Sequence, residues 1–86
     1  MILKKEFITH DTGDESLLVP TGSAGFSGLV KGNKTFGAIL ALLKEDTTEE
    51  AVVAAMKQRF DAPEEVIVRD VKKALAELRK IGALDE

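Results

Sequence analysis

Hydrophobic positions change their period once along the chain, close to residue 32. Before that point apolar residues come in short runs bounded by turn formers. Leu3 to His10, with Phe7, Ile8 and Thr9, reads as a strand, and Ser16-Leu17-Leu18-Val19 as its hairpin partner across Asp11-Thr12-Gly13-Asp14. Pro20 cannot donate to a ladder and ends the second run. Thr21 to Gly28 holds three glycines and reads as a loop; Leu29, Val30 and Lys31 then form a short third strand before Gly32. One edge of so small a sheet stays unpaired unless something covers it.

After residue 32 the spacing becomes three and four. Asn33 is a good cap for a helix over Lys34 to Leu43, because its side-chain oxygen accepts from an orphan amide of the first turn. Phe36, Ile39, Leu40 and Leu43 share one face, and Leu42 widens it enough to predict a largely buried helix. Thr47-Thr48-Glu49-Glu50 fits a capping box, with Thr47 bonding forward and Glu50 reaching back, ahead of a stripe of Val52, Val53, Met56 and Phe60. Asp61-Ala62-Pro63 breaks this second helix. Pro63 suits the first turn of a third, whose stripe is Ile67, Val71, Ala74, Leu75, Leu78 and Ile81. Gly82 predicts a left-handed cap, with Leu84 folding back on the last turn. The expectation is one domain over residues 1–86, with a sheet layer over 1–32 and three helices over 33–86, in the α+β class.

Composition narrows the function. A chain of 86 residues buries only about 60 to 65% of its unfolded surface, which leaves little room for an enclosed active site. The hydrophobic fraction of 44% is ordinary, and no apolar run approaches the ~20 residues that span a bilayer. The start Met1-Ile2-Leu3-Lys4-Lys5 lacks the apolar core of a secretion signal, so a soluble, cytoplasmic protein is expected. With no cysteine and His10 as the one histidine, neither a metal site nor a base and nucleophile pair suggests itself. No cofactor, no metal and no catalysis are expected. Gly28 to Thr35 brushes against the phosphate-loop pattern but fails its spacing, because Asn33 separates Gly32 from Lys34.

The third helix has two flanks beside its core stripe. Val68, Lys72, Ala76 and Arg79 lie along one; Val66, Asp70, Lys73 and Glu77 lie along the other. The first mixes basic heads with a shallow apolar strip, able to receive alternate side chains of an added strand whose acidic residues pair with Lys72 and Arg79. In this picture Val30→Pro weakens guest binding if the Val30 amide faces the guest. The main competitor is a DNA-binding domain in which Arg69, Lys72, Lys73, Arg79 and Lys80 meet phosphates. Against it, Glu64, Glu65, Asp70 and Glu77 cut that helix to a net charge of +1, and the whole chain carries −3. A homodimerising adaptor, pairing strand edge to strand edge, is the third class.

A wider pattern spans residues 3 to 85. Asn33-x-Thr35 opens a helix ending Ile39-Leu40-x-Leu42-Leu43; Asp46-Thr47-Thr48-x-Glu50 follows, then Asp70-Val71 with Leu75, Leu78, Gly82 and Leu84. This order and spacing resembles the PqqD-like family, whose namesake is the pyrroloquinoline quinone synthesis protein D. The resemblance implies a winged-helix-like domain with a three-stranded antiparallel sheet followed by three helices. It implies a peptide chaperone that binds the leader of a ribosomally made precursor peptide and presents it to a modifying enzyme, often a radical S-adenosylmethionine protein. Such a leader adds to the third strand and lies against the third helix. Carried onto this chain, the contact positions are Leu29, Val30 and Lys31, with Val68, Lys72, Ala76 and Arg79.

Overall fold

A computed structural model describes residues 1–13, 15–21 and 30–86. Strands β1 (Ile2–Leu3), β2 (Phe7–Asp11), β3 (Ser16–Pro20) and β4 (Val30–Gly32) precede helices α1 (Lys34–Leu42), α2 (Glu49–Arg59) and α3 (Glu64–Lys80), and β5 (Leu84–Asp85) closes the chain. The class is α+β. β2, β3 and β4 form an antiparallel sheet in that order, joined by a hairpin and by the segment that leads into β4.

The strand expected from Leu3 is divided. Leu3 pairs with Leu84, Ile2 with Asp85, and the Leu3 amide donates to the Leu43 carbonyl at 2.8 Å. A turn closed by the Phe7 amide on the Lys4 carbonyl at 3.1 Å then directs the chain into β2. The expected fold-back of Leu84 therefore takes the form of a two-stranded sheet with β1.

Alternation sets the faces of the larger sheet. Phe7, Ser16 and Leu18 are buried against the helices, whereas Ile8 is 55% exposed and Val19 37%. On the inner side Ile39, Leu40 and Leu43 of α1 meet Val52 and Met56 of α2 and the α3 stripe Ile67, Val71, Ala74, Leu75 and Leu78, all in one core. Ile81 packs on that core from a half-buried position. α1 approaches β3 very closely at Gly37, where an added Cβ would collide with the side chain of Ser16.

Helix ends follow local chemistry, with one change of frame. Asn33 caps α1, its side chain accepting from the Phe36 amide at 3.0 Å. α2 is capped by Thr48, accepting from the Ala51 amide at 3.1 Å, instead of by Thr47 with Glu50. Thr47 is held elsewhere: its amide donates to the Met1 carbonyl at 2.9 Å and its carbonyl accepts from the Met1 ammonium at 2.7 Å. Pro63 occupies the cap of α3, one residue before the helix. At the other end Gly82 adopts φ +72°, and the Ala83 amide reaches the Leu78 carbonyl at 2.8 Å while Gly82 reaches Arg79 at 3.1 Å. That is a Schellman closure, and Ala83, fully buried, supplies its apolar contact.

Candidate functional site

The ladder itself shows which backbone groups of β4 are spoken for. At the two ends of the β2–β3 hairpin, Thr12 donates to the Glu15 carbonyl at 2.9 Å and Thr21 to the Glu6 carbonyl at 2.7 Å. Antiparallel pairs alternate between those that exchange hydrogen bonds and those whose amides and carbonyls point outward. Counting inward from either end, Ile8·Val19 and His10·Leu17 are bonded pairs, while Phe7·Pro20, Thr9·Leu18 and Asp11·Ser16 are open. Pro20, with no amide to give, falls on an open position.

Ser16 and Leu18 therefore turn their amides and carbonyls away from β2 and toward β4. In the β3–β4 register they face Gly32 and Val30, so these are the bonded residues of β4. Lys31, opposite Leu17, is the open one. Its amide and carbonyl point to the far side of β4, where no strand lies among the described residues. The Lys31 side chain stands on the outer face of the sheet, 65% exposed, with its Nζ 3.7 Å from Glu15.

Alongside this edge runs a groove of about 350 Å³, bounded by β4, the start of α1 and one flank of α3. Val30, Phe36, Ile39 and Ala74 supply its apolar surface; Asp70, Lys73 and Glu77 supply the α3 rim. Gly32 is required here by proximity, since a Cβ on it would run into the Phe36 ring. Phe36 thus lies directly under the strand, half-buried, with part of its ring open to the groove. Asp70 also lines a smaller recess with Thr35, Met56 and Phe60, which fixes it at the α1 end of the groove. Glu77 lies two turns further along α3, about 10 Å away.

The structure separates the residues singled out from the sequence. Val30 and Lys31 are on the groove edge, and Leu29 lies outside the described residues. The α3 flank facing β4 is Asp70, Lys73, Ala74 and Glu77, opposite to the flank of Val68, Lys72, Ala76 and Arg79. Val68 instead lines a shallow recess with Val53, Ala54 and Lys57 of α2. Lys72 and Ala76 are exposed. Arg79 is engaged within the chain: its Nε donates to the Glu86 oxygens at 3.2 and 3.1 Å and its Nη2 to Oε1 at 2.9 Å. Those bonds hold the Glu86 carboxyl below, and the guanidinium above, their ordinary values. α2 meets the first flank at Val68, through Val53, Ala54 and Lys57, while the second flank borders the sheet edge at Asp70, Lys73 and Glu77.

His10 is exposed on β2, and among the described residues no group of three or more His, Cys, Asp or Glu side chains is placed to hold a metal ion. No helix among the described residues is long and apolar enough to cross a membrane.

The family model for coenzyme PQQ synthesis protein D (PqqD) matches residues 15–84, which takes in β3, β4, all three helices and the start of β5. The chain belongs to the PqqD family. The fold is similar to that of TbiB1, solved in complex with the TbiA(beta) leader peptide, with a TM-score of 0.76 and 19% identity over 99% of this chain and 100% of that one. No curated protein matches the chain. Membership in the PqqD family gives the open Lys31 edge and the groove beside it their context, because both fall within the matched span.

Proposed function

We propose that this PqqD-family chain is a non-catalytic recognition domain that takes the leader of a ribosomally made precursor peptide as an additional strand on β4. It then presents the peptide to a modifying enzyme, of which a radical S-adenosylmethionine protein is the favoured kind, in the cytoplasm. The observation that carries this reading is the Lys31 backbone: an amide and a carbonyl directed out of the sheet, beside a groove with an apolar floor. Strand addition uses such an edge for affinity and the adjoining pockets for specificity. The TbiB1 complex with a leader peptide supports the same role for this fold.

Self-pairing through β4 is the weaker alternative. A two-fold axis at the open residue would set Lys31 directly opposite its own copy, and like charges facing each other across strands are destabilising.

The test is an amide-shift titration of the labelled protein with candidate leader peptides. Saturable shifts should concentrate on Val30 to Gly32, the first turn of α1, and Asp70 to Glu77. Shifts centred on the Val68, Lys72, Ala76 and Arg79 flank would overturn the docking geometry. An absence of saturable shifts with every leader would overturn the role.

A further inference from the structure

The composition of the groove rim specifies what the guest must carry. Residues of an added strand alternate in side-chain direction, and the one in register with Lys31 shares its outward face. The guest residues on either side of it, level with Val30 and Gly32, therefore point inward, about 7 Å apart. This parity holds whether the added strand runs parallel or antiparallel to β4. Two guest side chains thus enter the groove, and they meet an apolar floor of Val30, Phe36, Ile39 and Ala74. On the α3 side they also meet two carboxylates, Asp70 and Glu77, and one ammonium, Lys73.

The carboxylates are available. Asp70 has only a loose contact with Arg69, at 4.0 Å, and no ion pair among the described residues involves Lys73 or Glu77. Asp70 and Glu77 sit about 10 Å apart along α3, a spacing comparable to the ~7 Å between the two inward positions, and both line the same groove. A long cationic side chain entering the groove has these carboxylates on its rim to pair with, and the net charge of −3 on the chain favours a cationic guest at long range.

We propose that this site selects cationic-apolar segments. Of the two inward guest positions, separated by one residue, one carries a large apolar side chain seated over Phe36 and Ala74 and the other carries Lys or Arg for Asp70 or Glu77. This is opposite in sign to the acidic guest that the Lys72 and Arg79 flank calls for. The inference rests on strand addition at Lys31, and its test separates the two.

Short random peptides displayed on phage are selected on the protein and counter-selected on Lys31→Pro, whose open edge has lost its donor. Synthetic copies of the enriched peptides are then titrated. The expected consensus places Lys or Arg two positions from Leu, Ile, Val or Phe. Changing that cation to Gln weakens binding about fivefold at low salt, with the difference shrinking as salt is raised. In Asp70→Asn/Glu77→Gln the Lys and Gln peptides bind alike, and in Glu77→Lys a Glu peptide overtakes the Lys peptide. Should either variant fail to fold, the peptide substitutions and their salt dependence on the unaltered protein decide. Peptides that depend on Lys31 yet show no cationic bias, or an acidic one, overturn the charge rule and leave strand addition standing. Enrichment of nothing that Lys31→Pro rejects overturns both.

Discussion

Lys31 separates the two roles a strand residue can have. Its side chain is exposed and loosely paired with Glu15, while its amide and carbonyl face the open edge. Lys31→Ala should leave peptide affinity within about twofold, because a surface ion pair of this kind contributes little. Lys31→Pro should weaken it about tenfold, by removing a donor and imposing the proline ring on the edge. Calorimetry on the two variants, with circular dichroism to confirm the fold, checks the contrast; equal affinities would show that the guest does not bond there. Val30→Pro, which the sequence alone suggests, strikes a different target: the Val30 amide belongs to the β3–β4 ladder, so its loss should lower stability. The third strand was legible in the sequence as a short apolar run, but its hydrogen-bond parity was not. Parity is inherited from the hairpin through Ser16 and Leu18, and no local pattern in Leu29 to Gly32 encodes it.

At the scale of elements, packing between neighbours overrides intrinsic preference. Glycine within a helix is worse than alanine by about 1 kcal/mol, so Gly37→Ala ought to strengthen α1 on propensity alone. The contact with Ser16 reverses the sign. Ser16 is buried, only 5% exposed, and a methyl at position 37 would overlap its side chain, forcing α1 and β3 apart. Gly37→Ala should therefore destabilise the protein by about 1 to 3 kcal/mol in urea unfolding, and a stabilised variant would show that the helix can shift freely. The same logic explains the cap of α2. Two threonines in sequence offer two frames; Met1 occupies Thr47, and the helix starts one residue later from Thr48. On α3, periodicity identified the buried stripe from Ile67 to Leu78, and it could not say which flank would border β4.

For the whole molecule, charge is intermixed. Arg69 lies near Asp70, Lys73 lines the groove between Asp70 and Glu77, and Arg79 is tied to Glu86. Along α3 this alternation leaves no continuous basic track among the described residues, which disfavours the DNA-binding alternative. The protein should cause no retardation of a generic duplex in low salt, and a salt-sensitive shift would reinstate that reading. Light scattering should report a monomer across micromolar concentrations, consistent with the repulsion of Lys31 against itself at a shared edge. A dimer that Lys31→Glu tightens in mixed samples of the two proteins would point to edge pairing.

The sequence by itself determined the α+β class, the three helices and their buried faces, the Asn33 cap and the Gly82 turn. Each rests on short-range period or on a backbone requirement within a few residues of its own position. Tertiary structure decided the rest. It pulled Leu3 out of the hairpin to pair with Leu84, moved the α2 cap, and set Asp70, Lys73 and Glu77 of α3 beside β4. Both flanks border the same apolar stripe equally well. Only the placement of the neighbouring elements breaks that tie, and with it sets which charged side chains border the β4 edge.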